Sequence, residues 1–469
     1  MIDAIDKVVN AISSFLYTPW IIILLLFAGI YFTIRTRFVQ FRLFGESIRV
    51  VAEKPKEKEA VSSFGALMVS TASRVGTGNI IGVSVAICCG GYGAVFWMWV
   101  IAILGGASAF IESTLAQIYK KRDKDGSSYG GPSYYIEAAM KKRWLGVIFA
   151  VSLILTYAGG YNLLASYNLQ STFSSFSFYS ADKTPYVIGV ILAVLFAVCV
   201  LGGGKRLTKI TGVLVPVMGA FYVIVSLIVI VMNIGLLPGV LGKIFTQAFD
   251  FKAIFGGFTG SAMMYGIKRG LYSNEAGMGS APNAAATADV SHPVKQGLVQ
   301  MLSVFIDTLL ICSATALMCL CTGVVPTPEA QGAPYVQTAL HSVFGAAGPV
   351  FIAIAMSLFA FTTLLGNYYY CEGCLKYILK RSPGFAFMTV FRLVATVIVF
   401  LGAIVSMGLA WDTADLLMAI LVIINIPSIL ILGKPAIEAL KDYTRQKKEG
   451  KDPHFKAADI GVHGTDFWN

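Results

Sequence analysis

Charge is what this 469-residue chain has least of. Lysine and arginine number 36 and aspartate and glutamate 25, so 13% of the residues are charged, against about a quarter in a soluble protein. A water-facing surface of ordinary size cannot be assembled from that supply. Histidine is rarer still, at four: His454 and His463 in the C-terminal tail, His292 and His341 near loops. No nucleophile, base and metal-ligand set gathers around them, which argues against a membrane enzyme. There is no GxxxxGK[ST] run, which excludes transport driven by ATP bound to a phosphate loop of this chain. GTGNIIG at 76–82 has the spacing GxGxxxG and follows no strand, so it is not a dinucleotide loop. The eight cysteines lie almost wholly in apolar stretches, giving no disulfide framework, and Cys371-x-x-Cys374, without a second pair or a nearby histidine, reads as helix packing rather than a metal site. The 47 glycines lack the three-residue period of collagen.

Apolar residues are abundant, at 56%, which excludes disorder. Crossing about 30 Å of hydrocarbon takes roughly 20 helical residues. Runs of that size recur eleven times, near 18–34, 61–89, 93–119, 144–172, 185–201, 208–235, 252–288, 295–323, 345–375, 386–408 and 411–433. The pattern predicts an all-α integral membrane protein of eleven transmembrane helices. Asp3 and Asp6 spoil the basic start of a signal peptide, while Ile2, Ile5, Val9 and Ile12 predict a short interfacial helix.

Basic residues exceed acidic ones by 11, and their placement explains the excess without nucleic acid. Of the 36, 29 fall in alternate connections and the C-terminal tail, four (Lys7, Lys183, Lys243, Lys252) on the other side, and Arg74, Lys268 and Arg269 within spans. The asymmetry predicts a multi-pass protein of the cell membrane with its N-terminus outside and its C-terminus cytoplasmic. Residues 434–469 read as a polar cytoplasmic tail, and 1–60 as an interfacial helix, an extra span and a basic connection.

Two spans are broken. The second is interrupted at Gly76-Thr77-Gly78-Asn79. The seventh carries Gly266, Gly270, Gly277, Gly279 and Pro282 together with Lys268, Arg269 and Glu275. Breakers and charges at membrane depth are tolerated where the backbone faces protein or a water-filled cavity. The two broken spans are five apart, and five is odd, so the second set of five helices starts from the opposite side of the membrane. Residues 61–235 and 252–433 therefore form an inverted 5+5 repeat, the architecture of a secondary transporter with its site at the paired breaks. Free N–H groups of Thr77, Gly78 and Asn79 suit a carboxylate, carbonyls near Gly266 and Ile267 an α-ammonium, and carbonyls around Val75 a sodium ion. In span nine, Thr362 and Thr363 either bond back to their own helix or ligate a cation.

These residues resemble the sodium:alanine symporter family, also called alanine or glycine:cation symporters. GGYGAVFWMWVIAILG (90–105) is similar to the family signature. SRVGTGNIIGV (73–83), GGPSYYIE (130–137), GIKRGLYSNEAGMGSAP (266–282), HPVKQG (292–297), FIDT (305–308) and FAFTTLLG (359–366) continue the likeness to about residue 433. The resemblance implies a LeuT-type fold with one amino acid and sodium bound at the breaks. Gly76, Thr77, Gly78 and Asn79 would hold the carboxylate, the Gly266–Ile267 region the ammonium, and the Val75 carbonyl with Phe359, Thr362 and Thr363 the cation. It implies no other cofactor and no obligate protein partner, only substrate, sodium and the bilayer. Two positions depart from the pattern: Ala165 stands where the family usually has glutamine, and Asn367 where it has tryptophan. Both changes predict a larger pocket, suited to an amino acid such as serine or glutamine.

Glu112 and Asp307 lie inside spans, each either functional or a tether between helices. Arg74, Lys268, Arg269 and Glu275 read as a cytoplasm-side ion-pair gate or a fixed network. A proton-coupled carrier would need a titrating carboxylate at the cation site; Asp307 is the candidate. Gly256 and Gly260 form a GxxxG pair suited to close packing.

Overall fold

The computed structural model describes residues 2–17, 19–55, 60–124, 126–201, 203–249 and 261–468. The expectations for Lys252, Gly256 and Gly260 lie outside them. The chain is helical, with one short antiparallel hairpin, Lys121–Arg122 against Ser128–Tyr129. In chain order the helices used below are α1 (Ile2–Tyr17), α2 (Trp20–Arg35), α3 (Ser63–Arg74), α4 (Val83–Gly90), α5 (Gly93–Ile118), α6 (Arg143–Ile154), α7 (Asn162–Ser171), α8 (Thr184–Val200), α9 (Gly203–Met232), α10 (Ala262–Asn274), α11 (Pro282–Ala285), α12 (Pro293–Val304), α13 (Ser313–Leu320), α14 (Ala347–Leu379), α15 (Phe385–Gly402) and α16 (Met407–Lys448). Turns of π-helix join α3 to α4, α6 to α7 and α12 to α13, at Gly78–Gly82, Leu155–Tyr161 and Phe305–Cys312.

Among the described residues eight helical stretches are long and apolar enough to cross a membrane. The α3–α4 pair, bent by 52°, makes a ninth, and α8 is a shorter apolar helix. α5 is the buried centre, packed against α2, α10 and α12. The outermost helices turn apolar rows outward: Val213, Val217, Phe221, Ile224, Ile228 and Val231 on α9, and Val390, Leu393, Val394 and Val397 on α15. Their spacing of three and four residues is one helical face. An exposed face this apolar is covered by lipid, and the protein is a multi-pass membrane protein.

The polar tail packs back onto the helices. α16 runs on to Lys448, and the chain after it folds back onto the protein. The Phe455 N–H donates to Ser291 O at 3.0 Å, Trp468 Nε1 to Gln117 O at 2.7 Å, and Lys121 pairs with Asp466 at 2.8 Å. Phe455 and Trp468 are buried against each other. Few apolar residues suffice here because they pack on backbone groups of α5 and of the connection before α12. Beside them a cavity of about 590 Å³ opens at the basic end, lined by Val61, Lys120, Arg122, Asn283, Glu372 and Lys376 among others.

Candidate functional site: two unwound segments in contact

The first break forms because the backbone leaves the helix at Val75 (φ −76°, ψ 86°) and resumes as a π turn at Gly78. The last carbonyls of α3 are thereby left without helical partners. Gly76 is required by close approach: a Cβ there would lie 1.8 Å from Thr363 Oγ1. Its N–H donates to Asn79 Oδ1 at 2.7 Å. The adjacent threonines of α14 behave differently. Thr362 Oγ1 donates back to its own helix, to Leu358 O at 3.0 Å and Phe359 O at 3.1 Å, whereas Thr363 Oγ1 is buried with no hydrogen-bond partner. Thr77 Oγ1 accepts from Asn168 Nδ2 at 3.1 Å and stands 3.5 Å from the Tyr272 hydroxyl. Asn168 lies on α7, one turn after Ala165, which is itself buried.

The second break is displaced from its expected place. α10 continues to Asn274, so Gly266 and Ile267 sit mid-helix and the carbonyls expected to be free there are not. The reason is packing: Gly266 presses on α5, where a Cβ would meet Ala94 O at 2.3 Å. The chain unwinds instead over 275–281. Gly279 has φ +79°, a left-handed conformation that side chains disfavour. The N–H groups of Gly277 and Gly279 donate to the two oxygens of Glu112, at 3.4 and 3.2 Å. Asn425 Nδ2 donates to Glu112 Oε2 at 2.7 Å and to Gly277 O at 2.9 Å. Glu112 thus holds irregular backbone in place with three N–H donors.

Charge falls into two layers. Lys268 and Arg269 both meet Asp415, at 2.8 and 2.7 Å, with the Arg269 guanidinium 4.2 Å from the Trp411 ring and the Lys268 ammonium 4.7 Å from the Tyr17 ring. This cluster lies toward α1 and the start of α16, opposite the basic connections. The four expected gate residues thus fall into two groups with different partners: Lys268 and Arg269 on Asp415, Arg74 on Gln300 and Glu275 on Ser73 and Ser280. Arg74 and Glu275 lie on the other side of the breaks. Arg74, buried, donates to Gln300 O at 3.2 Å and Gln300 Oε1 at 3.3 Å. Asp307 accepts from Asn79 Nδ2 at 2.7 Å, Ser273 Oγ at 3.0 Å and Thr308 Oγ1 at 2.7 Å. Glu275 joins the breaks: its Oε1 is 2.7 Å from Ser73 Oγ and its Oε2 2.7 Å from Ser280 Oγ. Asn367 completes the layer, its Oδ1 2.7 Å from Ser73 Oγ and its Nδ2 donating to Asn162 Oδ1 at 2.9 Å.

Ser73, Asn162, Asn168, Asp415 and Asn425 went unread in the sequence as site residues. Each is a polar residue in an apolar run, which was the available signal. Among the described residues no group of three or more His, Cys, Asp or Glu side chains is placed to hold a metal ion, and the described cysteines are all free.

Comparison with known proteins bears on this geometry. Residues 2–457 match the family described as the sodium:alanine symporter family. The chain is 43% identical over 464 residues to the amino-acid carrier protein AlsT of Bacillus subtilis, covering 99% of this chain and 97% of that one. It is 44% identical over 472 residues to the probable sodium/glutamine symporter GlnT of the same organism (100% and 97%), and 35% identical over 455 residues to the sodium/alanine symporter AgcS of Methanococcus maripaludis (95% and 99%). Among solved structures, a manganese transporter from Eremococcus coleocola shares the fold at a TM-score of 0.50 and 14% identity, over 86% of this chain and 84% of that one. The chain belongs to the sodium:alanine symporter family, whose members are symporters and not enzymes.

Proposed function

We propose that this protein imports a small neutral amino acid of the alanine or glycine class with sodium, by alternating access, from an outside N-terminus to a cytoplasmic C-terminus. In this reading α2 is an additional span, and the helices from α3 to α9 and from α10 to α16 are inverted five-helix repeats, eleven spans in all. The observation that carries it is the Thr363 hydroxyl, buried and unpartnered against the Gly76 break. An unpaired buried hydroxyl costs about 1–3 kcal/mol, and a sodium ion shared with the Val75 carbonyl and the end of α14's Phe359–Thr362 turn relieves that cost. Thr362 contributes less, because its hydrogen is already committed to its own helix. The substrate carboxylate takes the N–H groups of Thr77 and Gly78, while that of Asn79, expected to join them, donates to Gly76 O at 3.2 Å. The ammonium takes the free carbonyl end of α10 in place of Gly266 and Ile267. Alanine or glycine has the support of the family; glutamine or serine has the support of Asn367 and Ala165, which replace a bulkier pair.

One sodium ion crossing about 100 mV supplies roughly 2.3 kcal/mol, and a tenfold gradient about 1.4 kcal/mol more. The test is uptake into proteoliposomes of alanine, glycine, serine and glutamine under an inward sodium gradient. Thr363→Ala should raise the sodium needed for half-maximal uptake at least tenfold, and Thr362→Ala less than threefold. Equal effects of the two, or none, place the cation elsewhere. Asn367→Trp should shift preference toward the smaller substrates.

A further inference from the structure

A count of hydrogens at Ser73 leads beyond sodium. Its hydroxyl stands 2.7 Å from Glu275 Oε1 and 2.7 Å from Asn367 Oδ1, and a serine hydroxyl has one hydrogen to give. In the orientation the Asn367 amide takes here, its Nδ2 donates to Asn162 Oδ1 at 2.9 Å and it presents only an acceptor to Ser73; the orientation with both amides turned over belongs to an ionised Glu275. If Ser73 donates to Asn367, the short contact with Glu275 needs a hydrogen on the carboxyl itself. We propose that Glu275 is a proton-binding site, with Ser73, Asn367 and Asn162 as the relay that registers whether the proton is present.

The charges agree. Arg74 acts on three buried carboxyls, Glu112, Glu275 and Asp307, and has no ion-pair partner of its own among the described residues. Burying uncompensated charge costs several kcal/mol. Arg74 and one sodium ion neutralise two carboxylates, and a proton neutralises the third. Hydrogen bonding selects which. Glu112 faces only N–H groups, and Asp307 has the Asn79 amide beside the Ser273 and Thr308 hydroxyls; an N–H only donates and so holds an ionised oxygen. Glu275 faces the hydroxyls of Ser73 and Ser280, which accept as readily as they donate. The other groups around it are Tyr157, Tyr161, Tyr272 and Tyr370, from the π turn before α7, from α10 and from α14. None is a cation.

The relay has two polarities. With the proton on Glu275, donors run from Glu275 through Ser73 to Asn367 and from Asn367 to Asn162. When the proton leaves for water, both amides turn over, and donors run from Asn162 through Asn367 and Ser73 to the carboxylate. Asn162 then exchanges which of its polar ends is left over; its Nδ2 is the buried unpaired atom in the present arrangement. The switch spans Ser73 in the last turn of α3, Glu275 at the second break and Asn367 on α14, so the proton bears on all three parts of the site. The relay rests on the sodium-coupled amino acid reading for its role in transport and for the charge count, while the hydrogen count at Ser73 stands without it.

The experiment uses the purified full chain in two arms. Infrared difference spectroscopy at pH 7 should show the C=O band of a protonated carboxyl, absent in Glu275→Gln and kept in Glu112→Gln and Asp307→Asn. Asn367→Leu, which frees the Ser73 hydrogen for the carboxylate, should lose most of that band. In proteoliposomes, sodium-driven uptake of alanine, or of glutamine if alanine is not carried, should change about tenfold between pH 6 and 8.5 in the natural chain and less than twofold in Glu275→Gln. A natural chain with no protonated-carboxyl band across that range overturns the proposal, as does a Glu275→Gln chain that keeps both the band and the pH profile. The infrared arm needs no transport, so a chain that carries no amino acid under a sodium gradient overturns the transport reading and leaves the proton site to be judged separately.

Discussion

The two charged layers that flank the breaks solve the same problem in opposite ways. Toward α1, a single carboxylate, Asp415, meets two cations at 2.7–2.8 Å. Toward the basic end, three carboxyls share Arg74 at a distance and draw their close contacts from hydroxyls, amides and backbone N–H groups. Under the proposed alternating access the two layers would take different parts. An ion pair between side chains is made or lost as a unit, which suits a closure that opens. A carboxylate that accepts several neutral donors fixes the shape of unwound backbone, which suits a part that must keep its form while the closure moves.

That contrast is broken most directly at Asp415. Asp415→Ala leaves the buried Arg269 and the partly buried Lys268 with no counter-charge, and removing one partner of a buried pair costs about 3–5 kcal/mol. Thermal unfolding in detergent should show this as the largest loss of stability in the set, and Asp415→Leu combined with Arg269→Met and Lys268→Met should recover most of it. Glu112→Gln replaces one acceptor oxygen with a donor and leaves a backbone N–H of Gly277 or Gly279 unmet, at about 1–3 kcal/mol. Hydrogen exchange at 275–281 should quicken while the rest of the chain is unchanged. Were Glu112→Gln to cost more than Asp415→Ala, the division into closure and scaffold would have to be reversed.

The smallest effect is expected at the docked tail. Burial lowers His292 from its usual 6.5, and its Asp442 partner, held by that histidine, is lowered as well. His292 Nδ1 accepts the Val294 N–H, so the neutral ring gives its Nε2 hydrogen to Asp442. Both shifts favour the deprotonated group in the folded state. Their stabilisation is present at neutral pH and fades on acidification, His292 below 6.5 and Asp442 below 3.8. One proton changes stability by at most about 1.4 kcal/mol per pH unit. Exchange protection of the backbone at 455–468 should therefore fall between pH 6.5 and 5, and His292→Gln should remove that dependence.

Where the sequence could be read, the signal was chemical and local. Gly76-Thr77-Gly78 announced a break, because glycines in a row at membrane depth have few other uses, and the apolar runs announced helices. The second break was misplaced because glycine has two uses: Gly266 lets α10 approach α5, while Gly279 lets the chain turn, and spacing alone does not separate them. The partners of the charges were not legible for a different reason. Asp415 reaches Arg269 across 146 residues and Ser73 reaches Asn367 across 294, and no local pattern encodes such a distance. The docking of the tail is not legible in its composition, since it rests on two apolar residues, Phe455 and Trp468, placed against each other.

α16 unites the extremes of the molecule. It is 42 residues long, about 63 Å at 1.5 Å per residue, roughly twice the hydrocarbon thickness. Near its start it carries Asp415; near its end it carries Asp442, which meets His292 beside the docked tail. It is a beam with a fastening at either end, and Pro427 and Pro435, which interrupt its hydrogen-bond ladder, lie between the fastenings as the point of least stiffness. A load on one fastening is then shared between bending at the prolines and displacement of the other, and stiffening that stretch would make distant ends of the protein move as one.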